Sequence, residues 1–172
     1  VLKIANRNQI KKIRQYIDEV SNKSDLERIT ENQIISGLFT GAYAIHPLTS
    51  ENIPIWISDY VLAGYGTGAV MAVPCGDERD YSFAKKFGIP IKNIFKNIDI
   101  SESAFIQKKG FKLKNSKILD GLNFDQAYMK IIKHIERLGC GKETVNYKIR
   151  DSIFSRQRYW GEPIPIYYIN GL

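Results

Sequence analysis

The stretch from Gly64 to Phe87 constrains this chain more than any other. It reads Gly64-Tyr65-Gly66-Thr67-Gly68, then the apolar run Ala69-Val70-Met71-Ala72-Val73, then Pro74-Cys75-Gly76, then Asp77-Glu78-Arg79-Asp80 ahead of Tyr81, Phe83 and Ala84. A glycine-rich turn feeds a buried strand, the strand feeds a proline turn, and the turn feeds a helix. Asp77 is placed to cap that helix, and Asp80 stands three positions on, where a carboxylate favours a helix start. Gly88 ends it. Glycines at 64, 66 and 68 let a ligand come close to the backbone. A carboxylate at a helix start can cap the helix or hold a cation such as an ammonium group, and from these residues alone both readings stand, capping being the commoner. Gly66-Thr67-Gly68 has neither the lysine of a phosphate-binding loop nor the downstream pattern of a dinucleotide fold, so nucleotide-cofactor binding is rejected.

The surrounding pattern predicts an α+β fold. Ile10, Ile13, Ile17 and Val20 recur at helical spacing and predict a helix over 7–20. A short helical turn is expected over 25–30. Strands are expected over 38–45 and 53–57, joined by a turn at Thr49 to Asn52, with Pro54 at an edge or a bulge. Further strands are expected over 69–73, 89–95, 145–149 and 164–169. The helix over 124–138 is the clearest element: Asn123 and Gln126 form a capping-box pair, and Gly139 closes it. Phe124, Tyr128, Ile131, Ile135 and Leu138 are its expected buried stripe.

Length and charge bound the function classes. A chain of 172 residues fits one domain, or one domain with a short tail. No apolar run approaches the roughly 20 residues of a membrane span. The formal charge of +7 suits a polyanionic partner but does not require one, and its lysines are spread over 108–117, the helix near Lys130 and Lys133, and the tail. Cys75, Cys140, His46 and His134 have no paired-ligand spacing, so no metal site is expected. Two cysteines and no signal pattern suit a reducing cytoplasm. The chain begins at Val1 without an initiator Met, which suggests a fragment.

Several ordered blocks carry a family resemblance. Tyr65 to Pro74, followed by Asp77-Glu78-Arg79-Asp80-Tyr81 and Phe83-Ala84, resembles the editing-domain signature of leucyl-tRNA synthetases. Thr40 to Leu48, Ile53-Pro54-Ile55-Trp56, and Val145-Asn146-Tyr147 with Arg150-Asp151 are similar to the same family. Ser155-Arg156-Gln157-Arg158-Tyr159-Trp160-Gly161, with Pro163-Ile164-Pro165, resembles the point where that family's chain re-enters its catalytic core. Met71-Ala72-Val73-Pro74 with Arg79-Asp80 looks leucyl rather than valyl or isoleucyl. Three positions depart from the commonest pattern: Gly76 stands where His is frequent, Cys75 where a small residue is usual, and Ser152-Ile153-Phe154 where Trp-Gly-Val is common.

This resemblance implies a small bent sheet or partial β-barrel flanked by helices. It implies an editing domain over 1–149 and a strand segment over 150–172 that returns to the synthetic core and packs loosely without it. It implies hydrolysis of the ester between a wrong amino acid and the 3′ adenosine of tRNA(Leu). Such a second site is needed because one methylene is worth only about 1–3 kcal/mol in a binding pocket. Asp80 matches the carboxylate that holds the substrate's α-ammonium group, and Asp77 a nearby supporting position. Met71, Tyr65, Gly66, Thr67, Gly68, Val73 and Arg79 match substrate-binding positions. Met71 could instead be core, Tyr65 an ordinary loop aromatic, and Trp56 and Trp160 packing residues. No nucleophilic Ser, Cys or His arrangement appears, which suits attack by water. The family's threonine-rich strand is expected ahead of Val1, so the chain alone is expected to fold but to hydrolyse poorly. The implied partners are tRNA(Leu) and the remainder of the synthetase. No cofactor is expected here, ATP and magnesium belonging to the parent enzyme's synthetic core. The competing reading is a non-catalytic RNA-binding or scaffold fragment.

Overall fold

The computed structural model describes residues 1–21, 35–61 and 68–145. The chain divides into two compact units, Val1–Gly141 and Lys142–Leu172. The described helices and strands all belong to the first unit. The turn expected over 25–30, the strand over 164–169, Trp160 and the tail from Arg150 all lie outside the described residues, as does most of the strand over 145–149.

Helices and strands are mixed, as the α+β expectation requires. Asn6 caps a short turn at Arg7–Gln9, accepting from the backbone of Asn8, and the chain runs on into α1 (Ile10–Ser21). Ile13 of its apolar stripe is fully buried, while Ile17 lies at the exposed margin. Strands β1 (Leu38–Ile45) and β2 (Asn52–Ile57) form an antiparallel pair. The turn between them sits slightly earlier than the residue pattern predicts. It is closed by His46 N–H to Glu51 O and Ser50 N–H to His46 O, both at 2.8 Å.

The register of this pair breaks once. Phe39 faces Trp56, but the next pair is Tyr43 with Pro54, so Thr40, Gly41 and Ala42 together oppose Ile55. Pro54, which cannot donate to a ladder, stands directly beside this bulge. Gly41 has φ +74, and a Cβ there would lie 2.6 Å from Asn6 Cβ. Its lack of a side chain lets the residue ahead of α1 reach the sheet, where Asn6 N–H bonds Thr40 O at 3.0 Å.

Helix α2 (Glu78–Phe87) forms as its sequence dictates. Asp77 is extended and caps it, Lys85 and Lys86 occupy the last turn, and Gly88 ends it at φ +64. Ile89 N–H reaches Ala84 O and Gly88 N–H reaches Lys85 O, the paired bonds of a Schellman ending. Its inner face carries Phe83 and Phe87 into an aromatic cluster with Trp56 and Tyr60, ring centroids 4.6–5.8 Å apart. Phe39 extends the cluster onto β1. Trp56 is thus a packing residue. Gly37 makes room for this packing, since a Cβ there would come within 2.5 Å of the Phe83 ring.

Three expectations fail here, each for a physical reason. The run 69–73 is neither a strand nor buried. Val70, Met71 and Val73 are exposed, and the N–H and C=O of Val73 are taken by a side chain and a turn rather than a ladder. The run 89–95 is irregular apart from a single bridge, Phe95 to Leu113, supported by Lys96 N–H to Lys112 O and Lys114 N–H to Ile94 O. A triangle of Phe95, Phe105 and Phe111, centroids 4.8–5.6 Å apart, is the core under these loops. Finally, α3 (Phe124–Arg137) carries the predicted capping box between Asn123 and Gln126, and Gly139 at φ +66 closes it. Its apolar stripe is only partly covered, however, with Ile131 and Ile135 half-buried. Phe124, Tyr128 and Leu138 are exposed, and Ala127 is the buried residue of the helix. Periodicity puts those residues on one face; it does not say what covers the face. Among the described residues no helix is long and apolar enough to cross a membrane.

Candidate functional site

The candidate site forms where the loop 68–76 returns onto the first turn of α2. Asp77 Oδ1 accepts from the N–H groups of Arg79 and Asp80, both at 3.0 Å, so this oxygen is occupied as a helix cap. The next carboxylate does something else. Asp80 Oδ2 accepts from Val73 N–H at 2.7 Å, and Asp80 Oδ1 accepts from the Tyr60 hydroxyl at 2.7 Å. Val73 O in turn accepts from Gly76 N–H at 2.9 Å and Asp77 N–H at 3.0 Å. Both polar groups of the Val73 backbone are therefore held by residues 76 to 80, and the loop is fastened to the helix start.

The other predicted residues take their places around this knot. Gly68, at φ +79, and Met71 lie on the loop leading into it. Met71 is 59% exposed, which removes its reading as a core residue. Arg79 is exposed at the start of α2, its N–H on the Asp77 cap. Tyr65, Gly66 and Thr67 lie outside the described residues.

Below the loop, Cys75 is buried and its carbonyl accepts from Phe105 N–H at 2.9 Å. Burial pushes the Cys75 thiol above its ordinary range, with smaller opposing effects from backbone hydrogen bonds. Gly76 is not forced by space: a Cβ there would meet Val73 Cγ1 at 3.5 Å and Phe95 Cζ at 3.6 Å, both ordinary contacts.

Sequence reasoning misses Tyr60. It follows β2 by three residues, and no spacing rule connects it with a residue twenty positions on. Burial first, and then its hydrogen bond to Asp80 and the charges of Asp80 and Asp77, push its hydroxyl far above the ordinary tyrosine range. The phenol is thus held as a donor. An open cleft of about 520 Å³ lies at the other end of α2, lined by Lys85, Gly88, Ile89, Asp99 and Ser101 among others, and includes none of the predicted site residues.

Comparison with known proteins places the chain in a family. The family model described as "Leucyl-tRNA synthetase, editing domain" matches residues 1–136. The chain belongs to the leucyl-tRNA synthetase editing-domain family. Among its relatives, the leucine–tRNA ligase of Flavobacterium johnsoniae is 55% identical over the whole chain, which covers 19% of that protein. The leucine–tRNA ligase of Christiangramia forsetii is 52% identical over the whole chain, covering 18% of it. That of Amoebophilus asiaticus is 49% identical over 98% of the chain, again 18% of the relative. The chain thus spans about a fifth of the length of the curated relatives it matches. Within this family, the knot of Val73, Asp77 and Asp80 falls inside the matched residues, and so does Tyr60.

Proposed function

We propose that these residues form most of the editing domain of a leucine–tRNA ligase, and that they act in hydrolysing the ester of a mischarged tRNA(Leu). The observation that carries this reading is the state of Asp80. Among the described residues, each of its oxygens accepts one hydrogen bond, from Val73 N–H and from Tyr60. An ionised carboxylate offers about four acceptor sites, so capacity for an ammonium donor remains on both oxygens. A substrate α-ammonium would bind there through charge-assisted bonds, which orient the ester as well as hold it.

In this reading Asp77 supports the site by fixing the helix start. Tyr65, Gly66, Thr67, Gly68, Met71, Val73 and Arg79 would be its substrate-binding positions, with Met71 and Tyr65 near the aminoacyl group and the terminal adenosine. The two-stranded pair would be part of a larger bent sheet or partial barrel. The domain would extend over 1–149, with 150–172 leading to the synthetic core. The partners would be the 3′ end of tRNA(Leu) and the remaining parts of the synthetase, in the cytoplasm. ATP and magnesium, which leucylation consumes or requires, would bind elsewhere in such an enzyme.

The test is deacylation of isoleucyl-tRNA(Leu) by the full-length protein carrying this sequence. Asp80→Ala should let mischarged tRNA accumulate. Clearance at the wild-type rate would remove Asp80 from the site. The charge of +7 also suits a purely RNA-binding role, in which tRNA would bind with a steep salt dependence but no mischarged tRNA would be cleared by the wild-type protein.

A further inference from the structure

Asp80 is half-buried on the first turn of α2, where a carboxylate without partners would turn between rotamers. Here its two oxygens meet two donors from two different parts of the chain. Val73 N–H belongs to the loop just before α2, and the Tyr60 hydroxyl comes from the turn after β2; both bonds are 2.7 Å. Two donors on two oxygens fix both the position and the plane of a carboxylate, which one donor cannot do. The Tyr60 ring is itself held, packed against Phe83 at 5.8 Å, and Phe83 sits within the cluster of Trp56 and Phe87. The aromatic core of the unit is thus connected through the Tyr60 phenol to the Asp80 carboxylate.

We propose that Tyr60 is a positioning residue of the editing reaction, its hydroxyl setting the plane of Asp80 so that the remaining lone pairs meet the substrate's α-ammonium group. This rests on Asp80 being the ammonium-binding carboxylate. Tyr60 touches no reacting atom; it acts through Asp80. It cannot serve as a proton acceptor in the neutral range, because burial and the neighbouring carboxylates keep the phenol protonated. Its single hydroxyl hydrogen is committed to Asp80 Oδ1.

The experiment compares two substrates in one preparation of the full-length protein. The first is isoleucyl-tRNA(Leu); the second is the same tRNA after nitrous-acid deamination, which replaces the α-ammonium by a hydroxyl. Tyr60→Phe keeps the ring against Phe83 and removes the hydroxyl alone. Because a hydrogen bond to a charged group contributes on the order of a factor of ten or more, Tyr60→Phe should lower kcat/KM for the aminoacyl ester about tenfold. The deaminated ester should be hydrolysed by Tyr60→Phe at the wild-type rate. A reduced fraction of folded protein lowers both rates equally and leaves their ratio untouched, so the ratio is the readout. Equal loss on both substrates, or loss on neither, would overturn the role of Tyr60. Asp80→Ala, run beside it, separates the two ideas. If Asp80→Ala loses the preference for the aminoacyl ester and Tyr60→Phe does not, Tyr60 alone is misassigned. If Asp80→Ala keeps the preference, the ammonium reading of Asp80 falls and takes the proposal with it.

Discussion

Thr40 donates its hydroxyl hydrogen to the carbonyl of Ile55 across the hairpin at 2.7 Å. The same oxygen accepts from Ala42 N–H at 3.2 Å. These bonds span the place where three residues of β1 oppose one of β2, so a side chain satisfies backbone groups that a regular ladder would have paired. Thr40 is fully buried, which makes the loss of either partner expensive. Thr40→Val keeps the shape and leaves the Ile55 carbonyl and the Ala42 N–H without this partner, a loss of about 1–3 kcal/mol. Thr40→Ser keeps the hydroxyl and should lose less. Urea unfolding of the three proteins checks this; equal losses would assign the effect to packing.

Glycine substitutions should separate by position. At Gly37 an added Cβ meets the Phe83 ring at 2.5 Å, and at Gly41 it meets Asn6 Cβ at 2.6 Å with φ already at +74. Both Gly37→Ala and Gly41→Ala should destabilise by about 1–3 kcal/mol through overpacking. Gly76→Ala meets nothing closer than 3.5 Å and should stay within about 0.5 kcal/mol of wild type. Thermal unfolding decides, and a large loss at Gly76 would mean the turn 74–76 is more tightly built than its contacts show.

The two cysteines should react at different rates. Cys140 is exposed, whereas Cys75 is 5% exposed with its thiol raised by burial. Since the thiolate is the reactive form, iodoacetamide should label Cys140 first and Cys75 only on unfolding. Peptide mapping after brief alkylation reads this directly. Equal labelling would show that the loop 68–76 opens readily from α2.

Tyr60 should make stability fall on the alkaline side. Its folded-state value is raised above the ordinary tyrosine value of 10.0, with burial as the largest cause. A raised value means the folded state favours the protonated phenol. That contribution is complete below the unfolded value and is lost as pH climbs from there toward the folded one. The urea midpoint of wild type should therefore drop more steeply than that of Tyr60→Phe between about pH 9 and about pH 11. Parallel slopes would place the Tyr60 hydroxyl in water.

Local rules determined much of this protein from sequence alone. Asp77 as cap and Gly88 as stop delimit α2, Asn123 and Gln126 form their box, and Gly139 ends α3, because each of these motifs is completed within a few residues. The span of β1 was legible for the same reason, and Pro54 marked the neighbourhood of the bulge. The family, too, could be read from the ordered blocks around Tyr65 to Ala84, and its model covers residues 1–136. Tertiary structure decided the rest, wherever a group's partner lies far along the chain. The apolar run 69–73 has strand composition, but Asp80 takes the Val73 N–H, so its backbone is used to fasten a loop. The stripe of α3 has core periodicity, yet Phe124, Tyr128 and Leu138 are exposed, because periodicity defines a face and only the fold supplies a cover. The pairing of Tyr60 with Asp80 has no local signature. It exists because Phe83 and Trp56 bring the end of β2 against the first turn of α2, and the nineteen residues between the two carry no sign of it.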